Sequence, residues 1–156
     1  MNTNDLRYLE RAIELSRQSR ANGNHPFGAL LVLDDQIVLE SENSVGTTGD
    51  ATGHAETNLV RLASTTFSRS NLARASLYSS CEPCAMCSGA IYWSGIGRLV
   101  YALSEEGLYD MTGDNPQNPT MRLPCREVLA RGQREIEILG PALEDVAATA
   151  HEGFWR

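Results

Sequence analysis

The 156-residue chain has no lysine, and its 13 basic residues are all arginines, scattered from Arg7 to Arg156 without a dense cluster. Against 20 acidic residues this leaves a formal net charge of −7. Such a surface repels phosphate on average, so a nucleic-acid partner is not expected. No apolar run approaches the roughly 20 residues that a membrane helix needs, and no membrane association is expected. The opening Met1-Asn2-Thr3-Asn4-Asp5 run lacks the basic and apolar regions of a secretory signal, which predicts a cytoplasmic protein. Cysteine is sparse, and of the four present Cys81, Cys84 and Cys87 fall within one short stretch, an arrangement of ligands rather than of disulfides. Repeats and low-complexity segments are absent. A 42% hydrophobic composition at this length fits one domain spanning residues 1–156, with an adequate core and no room for a separate binding module.

Chemistry concentrates in His54-Ala55-Glu56 and Pro83-Cys84-Ala85-Met86-Cys87. Two thiolates and a neutral imidazole, from Cys84, Cys87 and His54, suit one Zn²⁺ per chain and leave its fourth position open. Glu56 is then free to move protons. Cys84 and Cys87 share a face if Pro83 opens a helix there. His54 and Glu56 would diverge on the side of a helix, so both approach one water only if the metal lies off the helix's N-terminal pole. The spacing therefore predicts two helix N-termini aimed at one zinc.

Three other readings compete. The C-x-x-C alone suits a redox pair, and Cys81, Cys84 and Cys87 match a spacing used by iron–sulfur ligands. Neither gives His54 or Glu56 a purpose, and only the remote Cys125 remains as a fourth thiolate. A closed structural zinc held by Cys81, Cys84, Cys87 and His54 is the stronger rival, although it too leaves Glu56 unexplained.

Hydrophobic periodicity predicts a helix over 5–21, a hairpin of strands over 26–33 and 37–43 with the turn at Asp34-Asp35-Gln36, and a helix over 54–66. A strand over 75–79, a helix over 84–94 and a strand over 98–102 follow. Residues 107–124 read as a long loop with Asn115-Pro116 and Asn118-Pro119 turns. A helix over 126–131, a strand over 135–139 and a proline-started helix over 141–152 complete the chain. The alternation predicts a three-layer α/β/α sandwich around a five-stranded mixed sheet.

These residues resemble the zinc-dependent cytidine and deoxycytidylate deaminase superfamily over essentially the whole chain. Asp50-Ala51-Thr52-Gly53-His54-Ala55-Glu56 matches the first metal segment of that family, and the run from Ser79 to Trp93, S-S-C-E-P-C-A-M-C-S-G-A-I-Y-W, matches the second. The second run is most similar to the bacterial guanine deaminase branch, as is Pro26-Phe27-Gly28-Ala29, where tRNA adenosine deaminases carry P-V-G-A. The resemblance implies a cytidine deaminase-like fold, a homodimer, and hydrolytic deamination of a small nucleobase, with guanine first and cytosine or a nucleoside behind it; a tRNA adenosine deaminase and a non-catalytic zinc-stabilised binding domain are the rival readings. It implies zinc on His54, Cys84 and Cys87, with Glu56 passing protons from water to a ring nitrogen and the departing ammonia. Asn43 matches a position whose amide holds the base, although an asparagine there also suits a turn. The backbone N–H of Ala55 or Cys84 is expected to assist developing charge, and Phe27 to form pocket floor or core. The guanine branch implies acids after the fourth strand and in the tail, where Asp110, Asp114 and Glu152 are candidates. Phe154 and Trp155 are expected either to close the pocket or to pack the last helix onto the sheet. Cys81 and Cys125 read as structural.

Overall fold

Asn2 opens the first helix, α1 (Thr3–Ala21), through a reciprocal cap in which its side chain accepts the Asp5 N–H and the Asp5 carboxylate accepts the Asn2 N–H. The computed structural model describes all residues 1–156. Tyr8, Leu9, Ala12, Ile13 and Leu15 bury one side of α1 against the sheet. The helix comes so close to the first strand that a Cβ on Gly28 would lie 2.6 Å from the Ala12 carbonyl oxygen, so this contact requires glycine.

Strands β1 (Gly28–Leu33) and β2 (Gln36–Glu42) form an antiparallel hairpin. Its turn is the two residues Asp34 and Asp35, at φ 52° and 59°, the double left-handed geometry that matches strand twist. Gln36, expected in the turn, begins β2 instead. β1 pairs antiparallel with β3 (Ser76–Cys81), which pairs parallel with β4 (Arg98–Leu103), and β4 pairs parallel with β5 (Glu137–Leu139). The result is a five-stranded mixed sheet in the order β2-β1-β3-β4-β5, as expected. Strand alternation sends Leu31, Leu77 and Leu99, which are in register, into the core on one face. There they meet α3 (Ala55–Thr66) and α5 (Ala85–Ser94) through Leu59 and Ile91. Leu30, Tyr78 and Val100, one residue along, point to the opposite face and pack with Leu9, Ile13 and Ala147. Helices on both faces make the three-layer α/β/α sandwich.

The sequence reading fails most clearly in the segment expected to be loop from residue 107. Its first part is helix α6 (Glu105–Thr112), capped by the Ser104 hydroxyl, which accepts the Gly107 N–H. Gly107 and the polar flanks hid it. Short helices α2 (Val45–Thr48) and α4 (Arg69–Ala73) are also unforeseen, being too brief to show a period. α7 (Cys125–Leu129) follows Pro124. The closing helix α8 is only Glu144–Thr149 and does not start at Pro141, because Leu143 before it sits in the left-handed region at φ 54°.

Candidate active site

His54 and Cys84 are the N-caps of α3 and α5, both in extended backbone, and neither side chain makes a capping hydrogen bond. Both are thereby free for another partner. With Cys87, one turn into α5, they form a group whose ligand atoms lie within 4.8 Å of one another. His54 Nδ1 is 3.5 Å from Cys84 Sγ and 3.6 Å from Cys87 Sγ. A tetrahedral zinc with bonds of about 2.3 Å to sulfur and about 2.0 Å to nitrogen has N···S edges of about 3.5 Å, so the set fits that ion. The Cys87 thiol and then the His54 ring beside Cys84 push that thiol down to about 4, against the opposing effect of burial. Cys81 stands outside the group, and burial raises its thiol well above the ordinary range. Cys125 is buried on α7 and likewise raised by burial. The Cys3His and iron–sulfur arrangements are therefore not assembled.

Glu56 lies in the first turn of α3, only 6% exposed, and faces a cavity of about 420 Å³. Burial, followed by the charge of Cys84, pushes its carboxyl up to about 7, where it can both take and give a proton near neutrality. The cavity is further lined by His25, Phe27, Asn43, Glu105 and Leu108, with residues 116–121 across its rim. Asn43 serves two purposes at once. Its side-chain oxygen accepts the Val45 N–H at 2.9 Å, making a local turn, and this fixes an amide NH₂ that has no protein partner at the cavity wall. Ala55 is fully buried at the first position of α3, where its N–H has no intrahelical acceptor.

The remaining expected contacts lie farther out. Asp110 is exposed on α6, and Asp114 is exposed and accepts the Tyr109 hydroxyl at 3.0 Å; neither lines the cavity. Glu152 is exposed, and its carbonyl accepts an Arg20 N–H at 2.6 Å. Phe154 and Trp155 do not line the cavity either, but pack edge-on against His25 at 5.7 and 5.3 Å, while Trp155 also meets Phe27. Trp155 donates its indole N–H to His151 Nδ1 at 3.0 Å. The tail thus supports the wall from behind. His25 and Glu105 are among the lining residues that sequence reasoning missed, as are Glu82, Leu108 and residues 116–121. For Glu105 a signal existed, since Ser104-Glu105-Glu106 directly after a strand is a helix-start pattern.

A two-thiolate, one-imidazole metal group beside an unligated buried glutamate, set at two helix N-termini of an α/β/α sandwich, defines a zinc-dependent hydrolase site. Residues 2–103 match the family model of the cytidine and deoxycytidylate deaminase zinc-binding region, and the chain belongs to that family. It is similar to a probable cytosine deaminase of Schizosaccharomyces pombe, at 44% identity over 97% of this chain and 92% of the relative. It is 42% identical to the guanine deaminase of Bacillus subtilis over 61% of this chain and 62% of that protein. A structure from a study of A-to-I editing by tRNA:A34 deaminases superposes with a TM-score of 0.72 at 26% identity, covering 93% of this chain and 99% of that one. The protein is a deaminase with one zinc ion, for which His54, Cys84 and Cys87 form the fitting group.

Proposed function

We propose that this deaminase acts on a free nucleobase, removing an exocyclic amine by hydrolysis and releasing ammonia. The observation that carries the reading is the cavity lining, which includes Glu56, Glu82 and Glu105 but no arginine. A site for a nucleotide or tRNA anticodon needs cations for phosphate, whereas an uncharged heterocycle needs an apolar slot with a few fixed polar groups. When bound, the zinc supplies a Lewis acid that brings the pKa of water toward neutrality. Glu56 takes the proton of the attacking water and returns protons to a ring nitrogen and to the leaving amine. Asn43 holds a ring acceptor through its unpaired NH₂, and Phe27 packs on the base. Ala55 does not itself line the cavity, but its N–H, without an intrahelical acceptor at the start of α3, adds to the positive helix end that assists the developing charge.

Two bases are in view. Likeness to a probable cytosine deaminase extends over 97% of the chain, and so over the α6 segment that walls the cavity; it favours cytosine. The second metal segment, with its S-C-E-P-C and A-I-Y-W runs, favours guanine. A homodimer is part of the same proposal. Trp93 on α5 is 76% exposed, and Leu62 of α3 and Met86 of α5 are also exposed, large apolar side chains whose burial against a second copy would be favourable. Ammonia release from cytosine, guanine and adenine by the zinc-loaded protein, alongside inosine formation in tRNA, tests the reading. Turnover of a free base is the expected result, and inosine formation without it would replace this reading with the tRNA one.

A further inference from the structure

Glu105 is a carboxyl that the deamination scheme leaves unused. It is the first residue of α6, 8% exposed, and lines the cavity, yet its side chain has no hydrogen-bond partner in the protein. Its backbone is fixed from several directions. The Glu105 N–H donates to Glu82 Oε1 at 2.9 Å, and Glu82 Oε2 accepts the Cys125 N–H at 2.8 Å. Just before it, the N–H and hydroxyl of Ser104 both donate to Glu144 Oε2, at 3.0 and 2.8 Å. With no protein partner, the Glu105 carboxyl is left to the contents of the cavity, so a ligand that displaces water there must supply its hydrogen bond or leave it unpaired at a cost.

We propose that Glu105 is a specificity-determining residue: its carboxyl accepts a ring N–H of the substrate and thereby selects a free base over the corresponding nucleoside. The proposal rests on the free-base reading above. Cytosine carries N1–H beside its C2 carbonyl, and guanine carries N9–H beside N3. In each nucleoside that N–H is replaced by the glycosidic bond, so the partner of Glu105 disappears. Burial, followed by the nearby charges of Glu82, Cys84 and Glu56, raises the Glu105 carboxyl to about 8. Such an edge offers a carboxylic acid two bonds, its carbonyl oxygen accepting the N–H and its hydroxyl donating to the adjacent acceptor, and offers a carboxylate the first of them. A site that loses a built-in hydrogen-bonding partner discriminates far more strongly than one that merely gains or loses apolar bulk.

The test uses zinc-loaded wild type, Glu105→Met and Glu105→Gln, with ammonia release measured on cytosine, guanine, cytidine and guanosine, and zinc content and thermal midpoint measured beside it. Glu105→Met is expected to keep zinc and melt no lower than wild type, because it replaces an unpartnered buried acid with an apolar chain of similar length. It should raise KM for the preferred base about tenfold and narrow the base-over-nucleoside ratio by a similar factor, the scale of one hydrogen bond to a charged or strongly polar group. Glu105→Gln retains a donor and an acceptor and should keep most of the ratio. An unchanged ratio in Glu105→Met, or a variant that melts lower, loses zinc or fails to fold, assigns Glu105 to structure and overturns the proposal. A wild type that prefers nucleosides instead overturns the free-base reading itself, so the two failures are distinct.

Discussion

Cys81, Cys84 and Cys87 are spaced alike, and what separates them is direction and surroundings. Cys84 and Cys87 sit at the start of α5, 3.5 and 3.6 Å from the His54 ring at the start of α3, whereas Cys81 ends β3 in a buried setting outside the group. Substituting Cys84 or Cys87 by alanine is therefore expected to abolish zinc binding, while Cys81→Ser keeps about one ion per chain in metal analysis. Equal loss in all three would make the site a closed structural cage. A second residue-scale expectation concerns Asp5, which is 2% exposed. It accepts two N–H bonds from Arg98, at 2.8 and 3.0 Å, and the Tyr78 hydroxyl at 2.6 Å. Arg98 chiefly, with help from Tyr78 and the Asn2 N–H, holds this carboxyl well below the usual range. Because the folded state lowers the pKa, the stabilisation is complete above the unfolded value of about 3.9 and is lost as pH falls below it. Asp5→Asn should cost about 3 kcal/mol in urea unfolding at pH 7, because Arg98 loses its buried partner and keeps only the exposed Glu137, whose carboxylate lies 2.8 Å from Arg98 Nε. It should also flatten the acid limb of stability below about pH 4; an unchanged acid limb would show that the pair contributes nothing.

At the level of elements, the C-terminal tail supports the cavity from outside. Phe154 and Trp155 touch His25 and Phe27, which are themselves lining residues. Removing residues 152–156 should leave zinc content unchanged and lower kcat/KM about tenfold or more through loosened wall residues, since small misplacements in a site carry large rate penalties. Full activity after truncation would reduce the tail to inert packing. Legibility from sequence followed physical signals. The paired alternation of Leu30-Leu31, Leu77-Tyr78 and Leu99-Val100 marked the strands, and His54, Glu56, Cys84 and Cys87 marked the site through spacing alone. α6 went unread because Gly107 broke its pattern and its cap depends on Ser104 being held by Glu144, forty residues away. The Ser104-Glu105-Glu106 pattern marks a helix start but not a cavity wall, and His25 carries no local signal at all, because lining a cavity is a property of long-range packing.

For the whole molecule, the net charge of −7 and the arginine-free cavity are what the free-base proposal rests on, and the exposed Trp93 bears on assembly. Trp93→Asp is expected to shift sedimentation from dimer to monomer without loss of zinc; a monomeric wild type would remove that expectation. The central claim is that the buried, unligated Glu56 moves protons for a zinc hydrolase acting on a free base. Its most direct test is ammonia release from cytosine and guanine by the wild type and Glu56→Gln, both carrying measured zinc. The account requires turnover by the wild type and a loss of at least about two orders of magnitude in kcat in the variant at unchanged zinc content, the scale of a positioned proton carrier. A zinc-replete Glu56→Gln protein with wild-type turnover would contradict it.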